Sequence, residues 1–240
     1  MAHKRNFIFT DIDLDGAMSY LLFEWYNKKR IPYIATRVTD FRASFSGWLK
    51  HHKLTDYDTV YILDLDVSNE CQELVDKPNI VIVDHHESHV QNKHKYKKAK
   101  TFISTDTSCA RLLYKLLYSK SDEPLSDEYK KLVLLVDDYD SYSLKVPNSH
   151  ELNTIFWNYQ GDKVKKFVED FGSGFHEFAD IGMVVNMDSK KVSFRKDKQC
   201  PVDLSLLAKT IADGGGHKYA AGGKVSDKFI TFTKLLKPKT

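Results

Sequence analysis

Apolar and polar positions along the first two-thirds of the chain alternate between short, dense apolar runs and amphipathic segments. FIFT (7–10), PYIATRV (32–38), TVYILDLDV (59–67) and NIVIVDHH (79–86) have the length and apolar density of buried strands. Between them, apolar residues recur at helical spacing from 17 to 29, where Pro32 stops the run, and again over FRASFSGWLKHH (41–52) and NECQELVD (69–76). HVQNKHKYKKAK (89–100) is basic with few apolar positions and reads as a surface loop. Thr107 or Ser108 can cap a helix reaching Tyr118. A further helix starts near Ser126 and runs into LVLLVDD (132–138), followed by helical segments over 148–159 and 161–171. Repeated strand–helix alternation predicts the α/β class, with a mostly parallel sheet flanked by helices. GSG (172–174) breaks the pattern and marks a boundary. Beyond it, ADIGMVVNM, KKVSFRK, a helix at DLSLLAKTIAD, the run GGGH and a final strand FITFTKLL (229–236) predict a small α+β unit. The expected domains are 1–171 and 175–240.

Composition narrows the class without naming a chemistry. With 42% hydrophobic and 29% charged residues, the 240-residue chain reads as an ordinary globular protein. Its net charge of +3 is too small for a protein that coats a polyanion, although a local basic patch remains compatible. Three cysteines, Cys71, Cys109 and Cys200, stand far apart in no C-x-x-C pattern, which speaks against a disulfide framework or a structural zinc site. MAHKRNFIFT lacks the apolar run of a secretory signal, and no window approaches a membrane span. The expected location is the cytoplasm, with no membrane partner.

The chemistry lies where the strands end. FIFT runs into DIDLD, YIL into DLD, and VIV into DHH. In parallel α/β sheets ligands bind beyond the carboxyl ends of the strands, so these clusters converge on one sheet edge. Asp11, Asp13 and Asp15 alternate before Gly16; Asp64 and Asp66 follow one strand; Asp84, His85 and His86 follow another; Asp137, Asp138 and Asp140 end an apolar helix. Carboxylates gathered out of water repel one another unless cations sit between them. Carboxylate and imidazole donors suit manganese, magnesium or iron better than thiolate-seeking metals. Two rival readings of DIDLDG fail locally. An EF-hand loop wants Glu at its twelfth position, which here is Leu22. A haloacid-dehalogenase-type phosphatase would use Asp13 as nucleophile, but Ala17 stands where its Thr belongs, and DHH and GGGH stay unexplained. The pair His51–His52, in a basic amphipathic helix, reads as solvated. In GGGHKYAAGG (214–223) the glycines let backbone amides approach an anion and His217 adds a donor; the plain alternative is a glycine-rich turn.

DIDLDG (11–16), ILD (62–64), DHH (84–86), the aspartates of DDYDSY (137–142) and GGGHKYAAG (214–222), in this order, resemble the DHH phosphoesterase family. SFRKDKQCPVDLSLLAK (193–209) also resembles the DHH-associated C-terminal domain of its RecJ-like and oligoribonuclease-like branch. The resemblance implies a hydrolase in which a water activated by two divalent metals attacks phosphorus. The metals implied are manganese, with magnesium or cobalt as alternatives. It implies Asp13 on one metal, Asp15 on the other, Asp64 bridging, and His85 and Asp138 completing the second site. Many members carry a histidine where this chain has Phe9, and Asp11 is the expected substitute. His86 is expected to contact the substrate phosphate or protonate the leaving oxygen, and Asp84 to orient the histidines. Arg195, Gly215, Gly216 and His217 would hold substrate from the C-terminal domain, across a cleft that contains the active site. Asp66, Asp137 and Asp140 receive no role.

The implied substrate is single-stranded DNA or RNA, or short oligonucleotides, cleaved exonuclease-fashion. Trp48, Arg42 and the basic stretch 93–100 could contact nucleic acid, or, more plainly, Trp48 is core and the lysines are solvated. A phosphatase or phosphodiesterase acting on a nucleoside 3′,5′-bisphosphate or cyclic dinucleotide is the alternative. Pyrophosphate or polyphosphate hydrolysis is a third, against which Phe9 and the GGGH tail count.

Overall fold

The computed structural model describes residues 5–69, 71–119, 121, 124–172, 181–196 and 202–235. The chain forms two compact units, Met1–Phe175 and His176–Thr240. Most of the GSG break (172–174), Cys200 and the turn around it lie outside the described residues. No described helix is long and apolar enough to cross a membrane.

The first unit is built on a parallel sheet of five strands: β1 (Asn6–Thr10), β2 (Tyr33–Ala35), β3 (Thr59–Leu63), β4 (Ile80–Asp84) and β5 (Lys100–Ile103). Their order is β2-β1-β3-β4-β5, every pairing parallel. The chain winds outward from β1 to β2, then crosses back to β3 and winds the other way. The strand order therefore reverses between β1 and β3, which opens a crevice at their carboxyl ends.

Helices cover both faces, so the strands carry continuous apolar runs rather than an alternating pattern. On one face Phe7, Phe9, Val60, Ile62, Ile80 and Ile82 pack against α2 (Val38–Leu49) and α3 (Gln72–Val75). Trp48 belongs to this core, with its ring 4.9 Å from Phe7 and 5.6 Å from Phe9. On the other face Ile8, Leu63 and Val83 meet α1 (Leu14–Asn27), α5 (Cys109–Tyr118), α6 (Asp127–Asp140), α7 (Ser149–Asn158) and α8 (Lys163–Phe171). Ser108 caps α5, its Oγ accepting from the Arg111 amide at 3.2 Å.

The expected surface loop at 89–100 is not one. Its start lies in α4 (Glu87–Asn92), a 3-10 turn follows over Lys93–Lys95, and Lys100 opens β5. KTFI is a short edge strand flanked by lysine, the usual guard against edge-to-edge pairing, and so it lacks the apolar density of its neighbours.

The second unit has an antiparallel sheet of β6 (Ile181–Asn186), β7 (Lys191–Lys196), β8 (Gly215–His217) and β9 (Ala220–Lys224), ordered β6-β7-β9-β8. Val192, Phe194 and Ala221 pack against α9 (Leu204–Ala212) and α10 (Asp227–Leu235). The final strand expected at FITFTKLL is instead α10. Its β-branched and aromatic residues favour a strand locally, but Phe229 and Phe232, three apart, face the small core of this unit. Thr231 and Thr233 return their hydroxyls to carbonyls on the preceding turn.

Candidate metal centre

The carboxyl ends of β1, β3 and β4 flank the crevice, and α6 brings its last turn to the same place. Asp13 caps α1, its Oδ1 accepting from the Gly16 amide at 2.9 Å. That tight turn requires glycine: a Cβ on Gly16 would lie 2.5 Å from the Asp11 carbonyl oxygen. Asp15, in the first turn of α1, is buried. Its carboxylate accepts from the amides of Cys109 (2.7 Å) and Ala110 (2.9 Å) at the start of α5, where the helix dipole favours negative charge. Burial and the charges of Asp140 and Asp13 nevertheless push this carboxyl well above the usual range.

Asp64 follows β3 with φ of 59°, a left-handed conformation that costs energy for a residue with a Cβ. Strain at the end of a strand, beside a strand-order reversal, marks a site held by its surroundings. His85 Nε2 lies 3.3 Å from Asp64 Oδ1, 3.3 Å from Asp140 Oδ2 and 3.7 Å from Asp15 Oδ2. One imidazole nitrogen thus faces carboxylates from three different elements. Asp64 Oδ1 and Asp140 Oδ2 are both buried with no hydrogen-bond partner among the described residues. Burial and the neighbouring acids raise Asp64 well above the usual range, and push Asp140 and Asp11 up to about 7. His85 shifts the other way, its pKa lowered by burial and by His86, which leaves it neutral and ligand-ready.

Orphaned buried oxygens, mutually repelling carboxylates and a neutral imidazole are the donor set of divalent cations. Two groups bring ligand atoms within 4.8 Å of one another: Asp64 with His85 and His86, and Asp15 with His85 and Asp140. Asp11 and Asp13 stand at the rim of these groups. Asp13 is among the charges that raise Asp11, Asp15, Asp64 and Asp140.

Asp84 is fully buried and takes a different place. It accepts from His86 Nδ1 (2.8 Å) and His89 Nδ1 (2.6 Å). Burial opposes its charge, but these two histidines hold it well below the usual carboxylate range. The same hydrogen bond to Asp84 outweighs burial at His86 and raises that ring to about 9. His86 is therefore cationic at neutral pH, and its Nε2 has no hydrogen-bond partner among the described residues.

Asp138 is not in the cluster. Its carboxylate accepts from the amides of Lys145 (2.9 Å) and Val146 (3.0 Å) and from Ser149 Oγ (2.7 Å), stapling the link from α6 to α7. Asp140 stands at His85 instead. Residues two positions apart on an α-helix are separated by about 200°, so Asp138 and Asp140 point to opposite sides. The apolar run LVLLV ahead of them includes the exposed Leu134 as well as four buried residues, which leaves the phase of the helix end ambiguous from sequence. Asp66 is tied to Ser68 and Ser88, and Asp137 to the Ser108 amide.

In the second unit Arg195 and His217 are exposed and lie in one row. Arg195 of β7 and His217 of β8 both register with Ala220 of β9, on either side of it, so all three share a sheet face. Arg195 Nη1 donates to the Phe194 carbonyl at 2.9 Å. Gly216 has φ of 146°, and a Cβ there would meet the Ala220 carbonyl oxygen at 2.6 Å. Gly215 has no such crowding, its nearest neighbour being Lys209 Cε at 4.0 Å.

The protonation pattern predicts an unusual stability profile. Asp11 and Asp140 at about 7, Asp15 and Asp64 well above the usual carboxylate range, and His86 at about 9 all bind protons more tightly folded than unfolded. The raised carboxyls lose stability as pH climbs above the ordinary carboxylate range. His86 contributes stability below its unfolded pKa and loses it as pH rises through about 9. The thermal midpoint of chelator-treated protein should therefore fall steadily from about pH 5 to about pH 9. Added Mn²⁺ should flatten the fall by taking the place of the protons. A scanning-fluorimetry midpoint that rises across this window would contradict the assignment.

The sequence profile described as the DHH family, N-terminal domain, matches residues 5–136. No curated protein matches the chain. Among solved structures, an uncharacterized protein from Helicobacter pylori G27 aligns at TM-score 0.46 and 15% identity over 98% of both chains. The pGpG-specific phosphodiesterase PggH from Vibrio cholerae aligns at 0.40 and 13% over 97% of both. An exonuclease RecJ bound to manganese aligns at 0.39 and 14%, covering 96% of this chain and 88% of its own. At these scores none of the three carries an argument about this chain.

Proposed function

The chain belongs to the DHH family, and from that membership and its metal centre we propose that it is a divalent-metal-dependent phosphoester hydrolase acting on single-stranded or short oligonucleotides. The observation that carries the reading is the single His85 nitrogen 3.3–3.7 Å from carboxylates of Asp15, Asp64 and Asp140, two of them with buried orphan oxygens. Asp11, Asp13 and Asp64 would hold one cation. Asp15, Asp64, His85 and Asp140 would hold the other, with Asp64 shared. Manganese is the metal proposed, with magnesium or cobalt able to replace it. The cations, when bound, supply Lewis-acid neutralisation of the phosphate and acidify the attacking water.

His86 carries its proton at neutral pH because Asp84 holds Nδ1–H, so Nε2–H can donate to a phosphate oxygen or to the leaving oxygen. Arg195 and His217 supply donors spaced two strand separations apart, about 10 Å, which suits the repeating phosphates and bases of an oligonucleotide better than one small anion. Gly215 and Gly216 would let the backbone of β8 approach a phosphate.

The test is a manganese-supplemented panel: single-stranded DNA and RNA of graded length, dinucleotides, a nucleoside 3′,5′-bisphosphate, cyclic dinucleotides and pyrophosphate. Hydrolysis of short single strands is expected, with a salt dependence that steepens as the strand lengthens. No hydrolysis of any member with manganese, magnesium or cobalt ends the enzyme reading. Turnover of the bisphosphate or cyclic dinucleotide alone replaces the oligonucleotide with a small-molecule substrate.

His217→Ala should raise KM for a dinucleotide by about tenfold and leave kcat within about threefold, the signature of lost ground-state binding. An unchanged KM removes His217 from substrate binding.

A further inference from the structure

Asp84 has a second partner that none of the metal chemistry uses. We propose that His89 and Tyr96 are positioning residues, forming with Asp84 a buried hydrogen-bonded line that fixes the direction of the His86 ring; the inference rests on the hydrolase reading above.

The line is continuous. Tyr96 Oη lies 2.8 Å from His89 Nε2, His89 Nδ1 lies 2.6 Å from Asp84 Oδ2, and Asp84 Oδ1 lies 2.8 Å from His86 Nδ1. His89 and Asp84 are fully buried, and Tyr96 is 9% exposed. A carboxylate can only accept, so Asp84 fixes the proton on Nδ1 of both rings. With both oxygens engaged on opposite sides, the Asp84 carboxylate cannot turn about its own axis. His86 Nδ1 is thereby held, and His86 Nε2 is the nitrogen left for the phosphate. Asp66 stands 3.7 Å from His89 Nδ1 and is itself held by Ser68 and Ser88, which gives the buried imidazole a second fixed neighbour.

Packing alone does not explain His89. A buried imidazole costs desolvation that Leu or Met at the same place would not. The geometry of the chain explains how it gets there: His89 lies three residues after His86, on the first turn of α4, and so points back beneath the end of β4. Tyr96 closes the line immediately after the 3-10 turn. The basic segment that looks like a solvated loop thus carries two inward rings.

The test compares His89→Leu, which removes the line, His89→Asn, whose amide can still donate to Asp84, and Tyr96→Phe, which removes a hydroxyl. Each is measured for thermal midpoint, for the His86 ring signals in ¹⁵N NMR of metal-free protein, and for kcat and KM on bis(p-nitrophenyl) phosphate with Mn²⁺. His89→Leu should lower kcat by about 10–100-fold with KM within about twofold, the usual cost of losing an outer support. His89→Asn should recover most of that loss, Tyr96→Phe should fall between, and the His86 Nδ1–H signal should broaden or shift in His89→Leu. A folded His89→Leu with wild-type kcat and an unmoved His86 signal overturns the proposal. So does a loss of kcat that Leu and Asn share equally and that follows the midpoint. If His89→Leu does not fold, Tyr96→Phe decides: a lowered kcat at an unchanged midpoint supports the line, an unchanged kcat overturns it. Wild-type protein inactive with every metal would defeat the hydrolase reading, and the His86 signal would then still judge the line by itself.

Discussion

Asp64→Asn should abolish phosphoester hydrolysis, lowering kcat about a thousandfold or more, and should raise the thermal midpoint of the metal-free protein. Both effects come from one carboxylate. Asp64 is buried, its Oδ1 has no hydrogen-bond partner among the described residues, and Asp15 and Asp13 add their charge to the cost of its burial. Asparagine keeps the shape, tolerates the left-handed backbone at φ of 59°, and removes the charge. The folded state is relieved of repulsion, while the oxygen proposed to bridge two cations is replaced by a neutral amide. Mn²⁺ should stabilise the wild-type protein in proportion to its occupancy and should stabilise the variant much less. Turnover near wild type in Asp64→Asn would remove Asp64 from the metal centre, and a lowered midpoint would mean that its charge is compensated by contacts other than metal.

The second large effect is a contrast between neighbours on α6. Asp140→Ala should lower kcat about a hundredfold or more and weaken Mn²⁺ binding in calorimetry, with the metal-free fold as stable as wild type or more so. Asp138→Ala should do the reverse. It strips two amides and a hydroxyl of their acceptor, and the thermal midpoint should fall by roughly 5–10 °C while Mn²⁺ still binds. The reason is geometric: His85 Nε2 stands 3.3 Å from Asp140, whereas Asp138 spends both oxygens on the turn into α7. Loss of Mn²⁺ binding in a fully stable Asp138→Ala would exchange the two roles.

Phe9 illustrates why a family pattern needs its surroundings. The resemblance implies a histidine there, whereas Phe9 is fully buried between Phe41, Phe45 and Trp48 on the α2 face of the sheet. Asp11, two residues on, is pushed up to about 7 by burial and by Asp13.

What could be read from the chain alone had local causes. Three of the strands, β1, β3 and β4, announce themselves because a strand buried on both faces must be apolar throughout, and all three end in acids or histidines. Asp11, Asp13, Asp15, Asp64, Asp84, His85 and His86 were therefore legible as one sheet edge. The edge strand β5 was not, since a short strand with one free edge carries lysines instead of a dense apolar run. FITFTKLL reads as a strand because its β-propensity is local, whereas the packing of Phe229 and Phe232 that makes it a helix is not.

The sequence by itself determined the fold class of the first unit and the kinds of atoms gathered at the carboxyl edge of its sheet. The tertiary structure decided which of them meet. Asp140 rather than Asp138 faces His85, and His89 rather than solvent faces Asp84. Both choices depend on rotation about a helix axis and on partners from distant segments, and a direction in space is information that neither spacing nor composition contains.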